Sequence, residues 1–171
     1  MIDSMPLPVC RRVRARRCRK LRGRAYCGYC ATKREKFFGW RLHLIGTPSS
    51  IPVSVQLLPA GFHDLTPIHE LAVVLPRSAR LSGDKGHHSA ADEASMLANT
   101  RVRLIPVRRA NMRPHAWFVN DIELQEYRHT IETVNSQCEK MGLKLLCART
   151  NTGFDHCLGR REHGLAIKVY Y

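Results

Sequence analysis

The chain has 171 residues, 44% of them apolar, which is enough for one domain with a buried core. Its 28 Lys and Arg against 14 Asp and Glu give a net charge of +14, so the expected partner is anionic, nucleic acid first. No apolar run approaches the ~20 residues of a membrane span and no apolar stretch follows the basic segment as a secretory leader requires, so the cytoplasm is the expected location.

Met1–Val9 reads as a short strand, extended by Pro6 and Pro8. Arg11–Arg24 follows, with nine basic residues among fourteen. Such a run is either a solvated, disordered or loosely helical charge stretch, or an arm that tracks phosphates and weakens steeply with salt. The seven cysteines (Cys10, Cys18, Cys27, Cys30, Cys138, Cys147 and Cys157) are odd in number and irregularly spaced, which argues against a disulfide framework. Cys27-Gly-Tyr-Cys30 has the spacing of half a zinc knuckle, but no second close pair completes it. No strand-turn-strand signal frames it either, so reduced thiols are the expectation.

Phe37–Thr47 alternates like a strand, with Trp40, Leu42 and Leu44 on one face, and Ile51–Leu58 continues the alternation after Thr47-Pro-Ser-Ser50. The pair predicts an antiparallel hairpin. Asp64 or Thr66 then caps a helix with Pro67 in its first turn, and Pro76 stops it. Arg80–Ser82 is a short strand that breaks at Gly83-Asp84-Lys85-Gly86. Ser89 opens a second helix, with Asp92 at the capping-box position, ending near Asn99. Arg101–Val107 is another strand. The long helix Asp121–Met141 comes last, with Leu124, Tyr127, Ile131, Val134, Cys138 and Met141 forming one apolar stripe. This order predicts an α/β architecture: a mixed sheet flanked by helices.

Three isolated carboxylates stand out in so basic a chain: Asp3 on the first strand, Asp84 where a later strand ends, and Glu132 on the flank of the last helix. Hard oxygen ligands that are scattered in sequence and converge in space are what a magnesium site requires. Two such ions about 4 Å apart activate a nucleophile and steady a leaving oxygen on one phosphate. Singly, each acid has an ordinary reading: a terminal residue, a turn residue between glycines, or, for Glu132 with Arg128, a helix pair one turn apart.

The segments IDSMPLPVC, YCATKREKFFGWRLHLI, LLPAGFHDLTPIHELA, GDKGHHSAADE, RRANMRPHAWF and RHTIETVNSQCEKMG together resemble the DDE transposases of bacterial insertion sequences. The resemblance runs from about Ile2 to Phe154, and GDKG followed by an R-x-x-x-E helix is its specific combination. It implies a ribonuclease-H-like catalytic domain over residues 1–154, with the basic segment 11–24 as an insertion or arm and residues 155–171 as a divergent tail. It implies that Asp3, Asp84 and Glu132 ligate Mg²⁺ or Mn²⁺. Arg128 would then contact DNA phosphate or orient Glu132, and Lys85 and Lys140 would face DNA. With the charge run, the expected DNA-binding set adds Arg11, Arg12, Arg14, Arg16, Arg17, Arg19 and Lys20.

The implied reaction is cleavage of double-stranded DNA at the element's ends, followed by attack of the freed 3′-hydroxyl on a target phosphodiester. A homodimer assembled on DNA, in the bacterial cytoplasm and at the nucleoid, is the expected working form. Family members usually carry a region ahead of the first acid, and Gly159-Arg-Arg-Glu-His-Gly164 replaces an expected apolar helix. A truncated copy is therefore the expectation. The alternative is a basic DNA-binding protein without catalysis. Three smaller readings stay open: His63-Asp64 approaches the acidic site; His87-His88 binds a transition metal or fills a packing position; Tyr26, Tyr29, Phe37, Phe38 and Trp40 stack on bases or pack in the core.

Overall fold

The computed structural model describes residues 1–19, 21–31, 33–108, 121–140 and 167–169, the side chains of residues 121–128, 138 and 167–169 excepted. The strands are β1 (Ile2–Arg11), β2 (Cys27–Cys30), β3 (Glu35–Gly46), β4 (Pro52–Pro59), β5 (Arg80–Gly83), β6 (Arg103–Pro106) and β7 (Ile167–Val169). The helices are α1 (Ile68–Ala72), α2 (Ala90–Thr100) and α3 (Asp121–Lys140). The sheet runs β6-β5-β1-β3-β4-β7, with β2 paired to β3. Met1 and Gly46 exchange both backbone bonds, at 2.7 and 2.9 Å, the mark of an antiparallel pair. β1 with β5, β5 with β6, and β4 with β7 are parallel. This is the expected fold class: a ribonuclease-H-like mixed sheet flanked by helices. No described helix is long and apolar enough to cross a membrane.

The chain forms two compact units, and β1, β3 and β4 each contribute to both. The first comprises residues 1–3, 44–54 and 64–134. Its core gathers Ile2, Ile45, Ile68, Leu71, Ala72, Leu81, Met96, Val102 and Leu104, drawn from four strands, two helices and the link before β6. Helix α2 starts where the capping rule puts it, with the Ser89 hydroxyl accepting from Asp92 N–H at 3.2 Å. Asp92 directs its carboxylate to His69 Nε2, at 3.0 Å, and ties α2 to α1. Helix α1 departs from expectation: its N-cap is Pro67, with no side-chain cap, so neither Asp64 nor Thr66 serves that role. In α3, Ile131 and Val134 are buried as the stripe predicts, and both lie against Gly46. The other stripe side chains lie outside the described residues.

The second unit comprises residues 4–43, 55–63 and 135–171. Its basic segment is ordered into a 3-10 helix over Arg12–Arg17 and another over Arg24–Tyr26. Leu21 is buried and Tyr26 stands edge-on to Trp40 at 4.9 Å, so apolar contacts pin the far end of the segment. β2 corrects the reading of Cys27–Cys30. The four residues form a strand paired antiparallel to β3, with Arg34 N–H bonded to Ala31 O between the two, so a strand-turn-strand frame does exist. Gly28 faces Phe37, whose ring occupies the space a side chain at 28 would need. Phe37, Phe38 and Trp40 are buried, which assigns them to packing, whereas Tyr29 is exposed. β7 was not expected from the sequence.

Candidate functional site

All three singled-out acids belong to the first unit. Ile2 and Gly83 are register partners across parallel β1 and β5. Asp3 follows Ile2 on β1 and Asp84 follows Gly83, the last residue of β5, so the register sets the residues that precede the two acids opposite one another. Glu132 arrives by a different route. Its neighbour Ile131 packs at Gly46, and Gly46 is the backbone partner of Met1. The start of β1 is thus the point against which β5 and α3 both register. Glu132 is exposed and its Oε2 stands 3.9 Å from His129 Nδ1.

The Asp84 carboxylate is held locally. Its Oδ1 accepts from Gly86 N–H at 2.8 Å and lies 2.9 Å from His87 Nδ1. The Asp84 side chain is 62% exposed, while that of His87 is buried at 1%. A side chain at Gly86 would intrude between two carboxylates, because a Cβ there would stand 3.1 Å from Asp84 Oδ1 and 3.3 Å from Asp64 Oδ2. Asp64 therefore approaches the turn that carries Asp84, in keeping with the open reading of that residue. His63 is exposed and belongs to the second unit.

One residue beyond the Asp84 turn, His88 Nε2 meets the Arg108 guanidinium. The same guanidinium donates to Glu93 Oε2 at 2.7 Å, with the side chains of Arg108 and Glu93 21% and 13% exposed. Arg108 follows β6 and Glu93 lies on α2, so this mostly buried ion pair fastens the Asp84 turn to two neighbouring elements. Sequence reasoning did not find it. The only signal was the Arg108-Arg109 pair after a strand, which spacing alone does not connect to Glu93.

Among the described residues, no group of three or more His, Cys, Asp and Glu side chains is close enough together to hold a metal ion. The donor set nonetheless fits a hard divalent cation in kind. Asp3, Asp84 and Glu132 are all carboxylates, and Gly86 leaves an open cradle beside the Asp84 and Asp64 oxygens. His87 and His88 point their assigned nitrogens at Asp84 and Arg108, so a shared transition-metal site is not what their contacts describe.

Lys85 is exposed next to Asp84. The backbone of Arg128 lies in α3, one turn before Glu132, and its side chain lies outside the described residues. Lys140 is exposed at the end of α3 and belongs to the second unit, as does the basic segment. There Arg12, Arg14, Arg16, Arg17 and Arg19 are exposed, and Arg11 pairs with Glu35 at 3.4 Å. Lys20 lies outside the described residues. In the same unit, burial raises the Tyr26 phenol above its usual range, and burial followed by the neighbouring Cys18 raises the Cys10 thiol.

No curated protein and no solved structure matches the chain. A protein-family model described as "Transposase DDE domain" matches residues 1–147, a span that contains Asp3, Asp84 and Glu132. Such a match over most of the length settles the family: the chain belongs to the DDE-domain transposases.

Proposed function

We propose that this protein cuts and joins double-stranded DNA at the ends of an insertion sequence, with Asp3, Asp84 and Glu132 as ligands for Mg²⁺ or Mn²⁺. The observation that supports the reading is the Ile2–Gly83 register, which pairs the residue before Asp3 with the residue before Asp84. Bound divalent ions would supply the Lewis acidity that activates a hydroxyl and stabilises a leaving oxygen. The chain's own groups bind and orient. Lys85 offers its ammonium beside the Asp84 turn, and Arg128, four residues before Glu132 in the sequence, would contact a phosphate or steady that carboxylate. The 3-10 segment with Arg12, Arg14, Arg16 and Arg17 exposes its guanidinium groups for phosphate contacts, which position DNA without reading its sequence. Joining two ends calls for two such chains, so a homodimer on DNA is the working assembly.

Incubation of supercoiled plasmid with the protein tests the reading. Nicking is expected with Mg²⁺ or Mn²⁺, and neither in EDTA nor with Asp84→Asn or Glu132→Gln in place of the parent. Salt-sensitive DNA binding with no metal-dependent nicking by the parent would overturn it and leave a basic DNA-binding protein.

A further inference from the structure

His87 is one of four polar residues buried among the described positions of the chain. Its ring is wedged against backbone: a Cβ placed on Gly83 would stand 2.9 Å from His87 Cβ, 3.1 Å from Cγ and 3.2 Å from the Ile2 side chain. The imidazole thus fills the space beneath Gly83 and Ile2, the residues that precede Asp84 and Asp3. A carboxylate only accepts hydrogen bonds, so the 2.9 Å contact with Asp84 Oδ1 assigns the proton to Nδ1. Nε2 is then a lone pair, buried and without a hydrogen-bond partner.

That combination is informative. A phenyl ring would fill the same space and leave no polar atom unsatisfied. What histidine adds over an apolar ring is the Nδ1–H bond to Asp84. Gly86 N–H donates to the same oxygen at 2.8 Å, so two donors from one turn converge on Oδ1 and fix the rotation of the carboxylate. The histidine donor and the residue after it are themselves held. His87 is held by burial, and the following residue, His88, is tied to Arg108, which pairs with Glu93.

We propose that His87 is a positioning residue, whose Nδ1–H sets the orientation in which the Asp84 carboxylate meets a divalent cation. The inference rests on the reading of Asp84 as a metal ligand. Partners one step removed from a metal commonly govern its affinity by orienting the ligand.

Titration of the full chain with Mn²⁺ alone, followed by electron paramagnetic resonance, provides the test. His87→Phe is expected to weaken Mn²⁺ binding by about 10- to 100-fold, while the melting temperature in EDTA stays at or above the parent's. His87→Asn, whose amide can donate to the same oxygen, is expected to recover most of the affinity. In the metal-free parent, the ¹⁵N shifts of His87 should report a proton on Nδ1. If Asp84→Asn binds Mn²⁺ as the parent does, the metal-ligand reading fails. If Asp84→Asn loses Mn²⁺ while His87→Phe binds as tightly as the parent, only the role of His87 fails. A proton found on Nε2 in place of Nδ1 would overturn that role even if His87→Phe does not fold.

Discussion

Gly83 shows how narrowly a single position constrains this site. A methyl group there would press on the buried His87 ring and on Ile2, and neither has solvent into which to withdraw. Gly83→Ala is therefore expected to cost about 1–3 kcal/mol through overpacking. Urea denaturation of the variant beside the parent measures it, and equal midpoints would refute the packing described at Gly83. The turn that carries Asp84 was legible because an acid between two glycines after a short apolar strand is conspicuous. The burial of His87 was not. Its spacing of three residues from Asp84 is equally consistent with a ring in solvent, and the packing beneath Gly83 that buries it comes from a strand eighty residues earlier. Asp64 shows the same limit: as a helix-capping residue it was a reasonable expectation, yet its carboxylate stands at Gly86.

Among the elements, the basic segment depends most on contacts remote in sequence. Composition alone permits disorder over Arg11–Arg24, but Leu21 is buried and Tyr26 meets Trp40, so the arginine run is a loop secured at its far end. An ordered loop presents its charges in one arrangement, and each phosphate it neutralises releases counterions. Replacing Arg12, Arg14, Arg16 and Arg17 together by alanine is expected to flatten the plot of log binding constant against log salt by about 0.9 per lost phosphate contact. Fluorescence anisotropy on a duplex at several salt concentrations reads this directly, and an unchanged slope would remove the segment from the DNA interface. The hairpin of β3 and β4, the strands β5 and β6, and helices α2 and α3 were legible because alternation, caps and a long apolar stripe are local signals. β2 lacked one. It has four residues, two of them half-buried cysteines, and Gly28 leaves to Phe37 the space a side chain would fill. β7 is shorter still, and follows a stretch rich in Gly and Arg that suggests no strand.

For the molecule as a whole, the fold class followed from the order of elements, but the pairing on which the proposed site rests is long-range. No local pattern specifies that Ile2 aligns with Gly83, and the pairing of the residues that precede Asp3 and Asp84 is a property of the assembled sheet. The same holds energetically. Carboxylates brought together by folding repel one another when no cation is present, and a cation that binds only the folded arrangement stabilises it by mass action. Magnesium at a hundredfold above its dissociation constant is expected to add about 2.7 kcal/mol to the unfolding free energy. A chain of net charge +14 also responds to salt in general, so the comparison requires sodium chloride at matched ionic strength. Thermal melts should then show a rise with Mg²⁺ that sodium does not reproduce, and Asp84→Asn should abolish the difference. If magnesium and sodium act alike on the parent, the acids do not share a cation in the folded chain, and the family's chemistry is not carried by Asp3, Asp84 and Glu132 in this member.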